Sequence, residues 1–355
     1  PPERLDVILI TEADDTTTNQ ALAACDLPPW MRCVAVPHGH PRTKPRALNF
    51  ALNFARGEVV GIYDAEDRPE PDQIARVAAR FAELPLRVAC LQGRLDYYNA
   101  THNPLARAFT IEYASWFRVL LPGVRRLGLF VPLGGTTVFI RRAALEQVGG
   151  WDAHNVTEDA ELGLRLARHG FDTEIVETTT FEEANAAVLP WIRQRSRWQK
   201  GYLMTWAAAM RRPLALWRDL GAWRFLGFQV QLLCAVLGFL LAPLLWTFIV
   251  KPFGAPHPLD AVLTPVQFGA LAVMMVASLL LSMAISWAAT RDAHLRRHRR
   301  WIPFVELYHG LGTFAAWTAA IEMVGRPFLW RKTEHGRFGG DEGPVTTARP
   351  VPPLP

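Results

Sequence analysis

Cysteine is scarce in this chain of 355 residues, which contains four cysteines and no Cys-x-x-Cys pair. They are Cys25, Cys33, Cys90 and Cys234. Their spacing excludes the common zinc motifs and gives no sign of a disulfide framework, so we expect reduced thiols in a cytoplasmic protein. No basic and aromatic element of the kind that recognises nucleic acids stands out either, despite a formal net charge of +5. We therefore expect no nucleic-acid partner.

The chain has no long apolar run before residue 222, and short apolar runs there alternate with helix-like stretches. Residues 5–11, 32–36, 58–63 and 87–91 are predicted strands, and residues 41–55 and 71–83 are predicted helices. This alternation predicts an α/β domain with a mainly parallel sheet covered by helices, whose ligands bind at the carboxyl ends of the strands. The chain opens on Pro1-Pro2 without a Met or a signal peptide, so we also expect an N-terminal part to precede it.

Two carboxylates, Asp64 and Glu66, directly follow the predicted strand 58–63. Because side chains alternate in extended backbone, the two acids point to the same side. Such a pair can hold Mg²⁺ or Mn²⁺ against a diphosphate, since these hard cations prefer oxygen ligands. Asp67 follows at once, which leaves open which acid takes the second position. The alternative interpretation is a solvated acidic turn.

Three side chains of the motif Gln-x-x-Arg-Trp have helical spacing: Gln194, Arg197 and Trp198. Positions i, i+3 and i+4 share one face of a helix. Arg197 can form a bidentate pair with a diphosphate, and Trp198 offers a flat apolar face on which a sugar ring can stack. An ordinary interfacial helix anchored by Trp and Arg is the alternative explanation.

A third motif, Thr157-Glu158-Asp159, precedes a predicted helix at residues 158–169. Thr157 is a predicted N-cap, and the two acids suit the positive end of the helix dipole. Capping alone is an ordinary explanation for these residue types. The position of the motif before Gln-x-x-Arg-Trp favours a catalytic role.

In this order, and followed by long apolar stretches, the three motifs resemble those of the membrane-embedded family 2 glycosyltransferases, which include cellulose, hyaluronan and chitin synthases. The resemblance covers roughly residues 5–337 and implies a GT-A type fold. It implies Asp159 as the general base of an inverting transfer, with Glu158 beside it in the catalytic pair. The family's usual metal motif is Asp-x-Asp, where this chain has Asp64-Ala65-Glu66.

The same resemblance implies binding roles for several other residues. Asp64 and Arg197 would contact the donor diphosphate, while Gln194 and Trp198 would hold the acceptor. Lys44, in Lys44-Pro45-Arg46-Ala47-Leu48-Asn49, would lie near the nucleotide and its phosphates.

Three weaker motifs resemble family segments. Asp14 and Asp15 follow the first predicted strand and resemble the acidic nucleotide-binding turn. Gly135 and Thr136 resemble the turn near the acceptor end. The placement of residues 330–336 resembles the gating loop of cellulose synthases, so Lys332 is a candidate for the donor phosphates. The alternatives are turn and cap chemistry for the first two motifs and a basic juxtamembrane anchor for the third.

The composition after residue 187 predicts a membrane-bound half. Trp and Arg interleaved over residues 188–222 indicate helices in the membrane interface. Residues 225–250 and 262–289 are each long enough to cross the hydrocarbon core. Residues 301–324 contain Glu306, His309 and Glu322 and have basic flanks, so an interfacial helix is favoured over a third crossing. The expected division is a catalytic domain at 1–187, interfacial helices at 188–222, a membrane region at 223–324, and a gating segment with a disordered tail at 325–355.

The expected function is an inverting transfer of a hexose from a nucleoside-diphosphate sugar to a growing β-linked polysaccharide. It would depend on Mg²⁺ or Mn²⁺ and take place at the cytoplasmic face of the inner membrane, on a multi-pass protein in contact with the lipid bilayer. The nearest rival is a single addition to a membrane lipid, as in the similar ceramide glucosyltransferases. A transporter or scaffold without chemistry is the rival from another class.

Overall fold

The computed structural model describes residues 2–325; Lys332 and the expected gating segment therefore lie outside the described residues. Within that range the chain forms strands β1 (Val7–Glu12), β2 (Met31–Val36), β3 (Val59–Ile62), β4 (Arg68–Pro69), β5 (Val88–Tyr97), β6 (Val138–Arg141) and β7 (Asp172–Glu182). The helices of the first half are α1 (Thr16–Ala23), α2 (Lys44–Leu52), α3 (Gln73–Glu83), α4 (Pro104–Ser115), α5 (Leu121–Arg126), α6 (Arg142–Gln147) and α7 (Glu158–Arg168). Those of the second half are α8 (Val188–Ala209), α9 (Pro213–Phe228), α10 (Ala235–Leu240), α11 (Ala242–Val250), α12 (Pro265–Ala289), α13 (Ala293–Arg296), α14 (Ile302–His309) and α15 (Leu311–Gly325).

The predicted α/β class is confirmed, but the larger sheet is mixed where the sequence predicted a mainly parallel one. Its five strands have the order β3-β6-β5-β7-β4, and only β5 and β7 pair in parallel. β6 is antiparallel to both neighbours, because α4 and α5 carry the chain back before it enters the sheet. Val138, the first residue of β6, lies opposite Ile62, the last residue of β3. This pairing places the turn before β6 beside the acids that follow β3.

The strands β1 and β2 form a parallel pair of their own, which shares no strand with the larger sheet in residues 2–325. Asp6 ties the pair to the rest of the domain, since its carboxylate accepts a hydrogen bond from the backbone N of Arg56 at 2.9 Å.

The core lies on both faces of the larger sheet. On one face, α6 and α7 pack Leu145, Leu162 and Leu166 against Ile140 of β6. On the other face, Val77 of the amphipathic α3 packs with Phe81 against the sheet. Helices on both faces leave the strand ends as the open side of the domain, where a ligand can reach it.

Within residues 2–325, two helical stretches are long and apolar enough to cross a membrane: residues 213–240 and α12. The first bends at Gly221, whose φ of 73° is outside the helical range, and contains a π-helical turn at Gln229–Cys234. The predicted stretch 225–250 is helical but not one helix. The first helical part ends at Leu240, and α11 has Pro243 in its first turn. The two parts are separate because proline lacks the N–H that would continue the hydrogen-bond ladder.

The stretch predicted at 301–324 forms two helices, α14 and α15. Helix α15 packs its small residues, such as Gly312 and Ala316, inward against neighbouring helices. Its opposite face exposes Phe314, Trp317 and Ile321. The buried Lys200 on α8 donates to Glu322 on α15 over 3.1 Å, which binds α15 to the helix that carries Gln-x-x-Arg-Trp.

Candidate active site

The acidic turn after β3 is held by internal hydrogen bonds. The Asp67 carboxylate accepts from the backbone N of Asp64 at 2.8 Å and from the hydroxyl of Thr136. Burial raises the pKa of Asp67 to about 6, although the hydrogen bond from Thr136 acts to lower it. Asp67 therefore shapes the turn, while Asp64 and Glu66 stay half-buried beside the open strand ends.

Lys44, the first residue of α2, bridges the acidic turn and the glycine turn before β6. Its Nζ forms an ion pair with Asp64 and donates to the carbonyl oxygen of Gly135 at 2.8 Å. Burial alone would lower the pKa of Lys44, but the Asp64 carboxylate raises it above its ordinary value. The predicted proximity of Lys44 and Asp64 is thus present in the structure.

The glycine turn is held by Gln92, a fully buried residue of β5 that sequence reasoning missed. Its side-chain oxygen accepts from the backbone N of Gly134 at 2.8 Å, and its amide nitrogen donates to the carbonyl oxygen of Thr136 at 3.2 Å. Thr137 has a φ of 55°, which is strained for a β-branched residue. A glutamine directly after the apolar run Val88–Leu91 is the only signal in the sequence. The predicted acceptor role of Gly135 and Thr136 stays a prediction, and the buried Thr136 hydroxyl is engaged by Asp67.

The two acids at the start of α7 face this turn. A Cβ placed on Gly135 would lie 3.3 Å from Oδ2 of Asp159, so a larger residue there would narrow the approach to this carboxylate. The other oxygen, Oδ1, accepts from the backbone N of Ala160 at 2.7 Å. Both acids line a small pocket with Gly134 and Gly135.

Burial controls the protonation of the two acids. It raises the pKa of Asp159 above its ordinary value, against the charges of Lys44 and Arg197. Burial and the charge of Asp159 raise the pKa of Glu158 to about 7. A carboxylate with a raised pKa is a better proton acceptor near neutral pH, as a general base requires.

Helix α8 brings the Gln-x-x-Arg-Trp motif to α7. A Cβ on Gly201 would lie 2.2 Å from Oγ1 of Thr157, so a glycine is needed where the two elements cross. The amide of Asn155 donates to Thr205 Oγ1 at 2.8 Å and fixes the same crossing. Thr157 is the N-cap residue of α7, as predicted, but its side chain forms no capping hydrogen bond.

Arg197 points toward the acids. Burial holds the pKa of Arg197 below its ordinary value, although the negative charges of Glu158, Asp159 and Asp64 act to raise it. With Lys44 it supplies positive charge on two sides of the carboxylates. Cations in this position suit a diphosphate.

Trp198 is packed in an aromatic cluster. The guanidinium of Arg195 lies over its ring at 4.5 Å, and the ring of Tyr113 lies at 6.2 Å. Arg195 also forms an ion pair with Glu112. One face of Trp198 is therefore covered, and stacking of a sugar on the rest of the ring stays a prediction.

The remaining predicted residues lie apart from this centre or take part in local bonds. Asp14 forms an exposed ion pair with Arg42 at 2.7 Å. Asp15 is the N-cap of α1 and accepts from the backbone N of Thr18 at 3.1 Å. The amide oxygen of Gln194 accepts from Asn185 at 3.0 Å. Nucleotide binding by Asp14 and Asp15, and acceptor binding by Gln194, stay predictions.

The acidic turn fits a hard divalent cation. Its donor atoms are carboxylate oxygens, which Mg²⁺ and Mn²⁺ prefer. Oδ1 of Asp67 is buried and has no hydrogen-bond partner in the part of the chain that the structure describes, so a cation there would satisfy it. No three His, Cys, Asp or Glu side chains of residues 2–325 converge closely enough to hold a metal by themselves.

The comparisons with known proteins agree with this arrangement. A family model described as glycosyl transferase family group 2 matches residues 59–290. The chain belongs to this family. It is 28% identical to the β-monoglucosyldiacylglycerol synthase of Synechocystis sp. over 247 residues, which are 65% of this chain and 49% of that protein. It is 27% identical to the probable glucomannan 4-β-mannosyltransferase 1 of Arabidopsis thaliana over 145 residues, 41% of this chain and 26% of that protein.

This family 2 chain also resembles a solved structure, a mannosyltransferase from Pyrobaculum calidifontis in complex with GDP-Man and Mn²⁺. The TM-score is 0.51 at 18% identity, and the match covers 91% of this chain and 79% of that one. This likeness confirms the predicted GT-A type fold, and the family model confirms the assignment as a glycosyltransferase. The chain spans about half the length of the first curated relatives that it matches.

Proposed function

We propose that this glycosyltransferase transfers a hexose from a nucleoside-diphosphate sugar with inversion at the anomeric carbon. The observation that carries the proposal is the convergence of Asp159 with Lys44 and Arg197 around the glycine turn. A cationic pair suits the diphosphate, and a half-buried carboxylate with a raised pKa suits an acceptor hydroxyl.

In this proposal Asp159 takes the proton from the acceptor hydroxyl as that oxygen attacks the anomeric carbon. Lys44 and Arg197 stabilise the negative charge of the departing nucleoside diphosphate. Asp64 and Glu66, with Asp67 as the open alternative for the second position, would hold Mg²⁺ or Mn²⁺, which would further neutralise the leaving group. The glycine turn, fixed by Gln92, keeps the approach to Asp159 open.

The acceptor we propose first is a growing β-linked polysaccharide, and the glucomannan mannosyltransferase relative supports this class. A membrane lipid is the second candidate, supported by the glucosyldiacylglycerol synthase relative. The length of the product distinguishes the two. Incubation with radiolabelled donor and membranes should give a polymer in the first case and a single chloroform-soluble glycolipid in the second.

We further propose that the catalytic domain lies on the cytoplasmic face of the inner membrane, with the helical stretch within residues 213–240 and α12 crossing it. The ion pair between Lys200 and Glu322 and the exposed apolar face of α15 support an interfacial α15. A cysteine in place of Trp317 tests this location. In sealed membranes this cysteine should be protected by lipid from a membrane-impermeant thiol reagent, and it should react once detergent is added. Reaction with the reagent from the outer side of sealed membranes would contradict the proposal.

A further inference from the structure

Strand β7 ends beside the acidic turn. In the antiparallel pairing of β4 and β7, Arg68 lies opposite Phe181. The next residue of β7, Glu182, is therefore level with Asp67. On the other side Glu182 pairs with Tyr97 of β5, and its carbonyl oxygen accepts from the backbone N of Tyr98 at 3.1 Å. Two neighbouring strands thus fix the position of Glu182.

The Glu182 side chain is half-buried and lies between two groups of residues. Four charged groups of the proposed donor site act on it electrostatically: Asp67, Asp64, Lys44 and Glu66. Its own charge acts on three tyrosines: Tyr97, Tyr98 and Tyr113. No hydrogen bond or ion pair within residues 2–325 reaches its carboxylate.

The tyrosines continue to the Gln-x-x-Arg-Trp motif. The ring of Tyr113 lies 4.7 Å from that of Tyr97 and 6.2 Å from that of Trp198. Glu182 therefore lies between the acids of the donor site and the aromatic cluster around Trp198. In a sugar transfer the acceptor must lie between the donor diphosphate and the part of the protein that binds the acceptor.

A half-buried carboxyl without an internal hydrogen bond has acceptor positions that a ligand can occupy. Sugar hydroxyls are suitable donors to such a group. From its position we infer that Glu182 binds a hydroxyl of the acceptor sugar and contributes to acceptor specificity, an inference that rests on the sugar transfer proposed above.

The test compares Glu182→Ala and Glu182→Gln with the wild type in lipid nanodiscs. UDP-glucose and GDP-mannose serve as donors, and cellotetraose and mannotetraose as acceptors. The matched control is Glu177→Gln on the same strand, whose side chain is 78% exposed and pairs with Arg94. Glu182→Ala should raise the KM for the acceptor about tenfold or more. Hydrolysis of the donor without acceptor should stay within about twofold of wild type, because this step does not use the acceptor site.

The Glu182→Gln variant should lie between alanine and the wild type, because its amide oxygen still accepts a hydrogen bond. An unchanged acceptor KM in both variants would overturn the role of Glu182 while leaving the proposed function in place. Loss of donor hydrolysis in parallel with transfer would also overturn it and assign Glu182 to the donor or metal. A wild type that neither hydrolyses nor transfers either donor would reject the proposed function, and this inference with it.

Discussion

Replacing Asp159 by asparagine removes the proposed proton acceptor while preserving the shape of the side chain. The amide oxygen of asparagine can still accept from the backbone N of Ala160, as Oδ1 does now at 2.7 Å. Lys44 and Arg197 are untouched, so the donor-binding charges remain. The variant should therefore fold, and it should bind a nucleoside diphosphate within about twofold of wild type.

The expected loss of transfer is about 10²–10⁴-fold, the usual contribution of a general base. At about 1.36 kcal/mol for each factor of ten, this range is about 2.7–5.4 kcal/mol of transition-state stabilisation. Single-turnover transfer from labelled donor measures the chemical step, and calorimetric titration with UDP or GDP measures binding. Transfer at the wild-type rate would eliminate Asp159 as the base, and equal losses in transfer and in binding would indicate a damaged site.

The neighbouring Glu158 provides the matched control. Its pKa is raised to about 7 by burial and by the charge of Asp159. The base must be ionised, so wild-type kcat/KM should fall as the pH is lowered through the pKa of Asp159, which burial raises above its ordinary value. Glu158→Gln removes a negative neighbour, which makes ionisation of Asp159 easier. This variant should keep transfer within about tenfold of wild type and should shift the acid limb of the profile to lower pH; a shift to higher pH would contradict the proposed coupling.

Three further predictions concern the donor site and the stability of the domain. Transfer should require Mg²⁺ or Mn²⁺, and Asp64→Ala should weaken metal-dependent donor binding in a titration; full activity in excess chelator would reject this. Arg197→Lys should not restore transfer lost in Arg197→Ala, because an ammonium cannot form the bidentate pair with a diphosphate; wild-type kinetics for the lysine variant would refute the role. Asp96 is fully buried and pairs with Arg118 at 2.8 Å, whereas Asp292 pairs with the same guanidinium at 2.9 Å and is 46% exposed. Asp96→Asn should therefore cost about 3–5 kcal/mol of unfolding free energy and Asp292→Asn about 1 kcal/mol or less, and equal midpoints in denaturant titrations would contradict the difference in burial.

The sequence predicted the local elements well, because their signals are local. The strand before Asp64 and the helix after Thr157 lie within a few residues of their predicted bounds. The antiparallel direction of β6 was not predictable, since it depends on how α4 and α5 return the chain. The predicted single helix at 225–250 failed because a proline in the first turn of α11 outweighs the apolar composition.

The candidate site shows the same limit. Asp64, Asp159 and Arg197 were expected together from their motifs, and the structure brings them together. The contacts that position them were not expected, because they join distant parts of the chain. Gln92 is 42 residues from Gly134, and the fit of Gly201 against Thr157 depends on the crossing of two helices. Such contacts have no periodic signature in a single sequence.

The measurement that tests the central claim most directly is a donor panel on the reconstituted protein with and without a divalent metal. Labelled UDP-glucose, UDP-N-acetylglucosamine and GDP-mannose are each incubated with membranes containing the wild type or Asp159→Asn. The account predicts that at least one donor gives a labelled lipid or glycan, that the product requires Mg²⁺ or Mn²⁺, and that Asp159→Asn lowers its rate at least about 100-fold. Label transfer that persists in excess chelator, or that is equal in the variant, would contradict it.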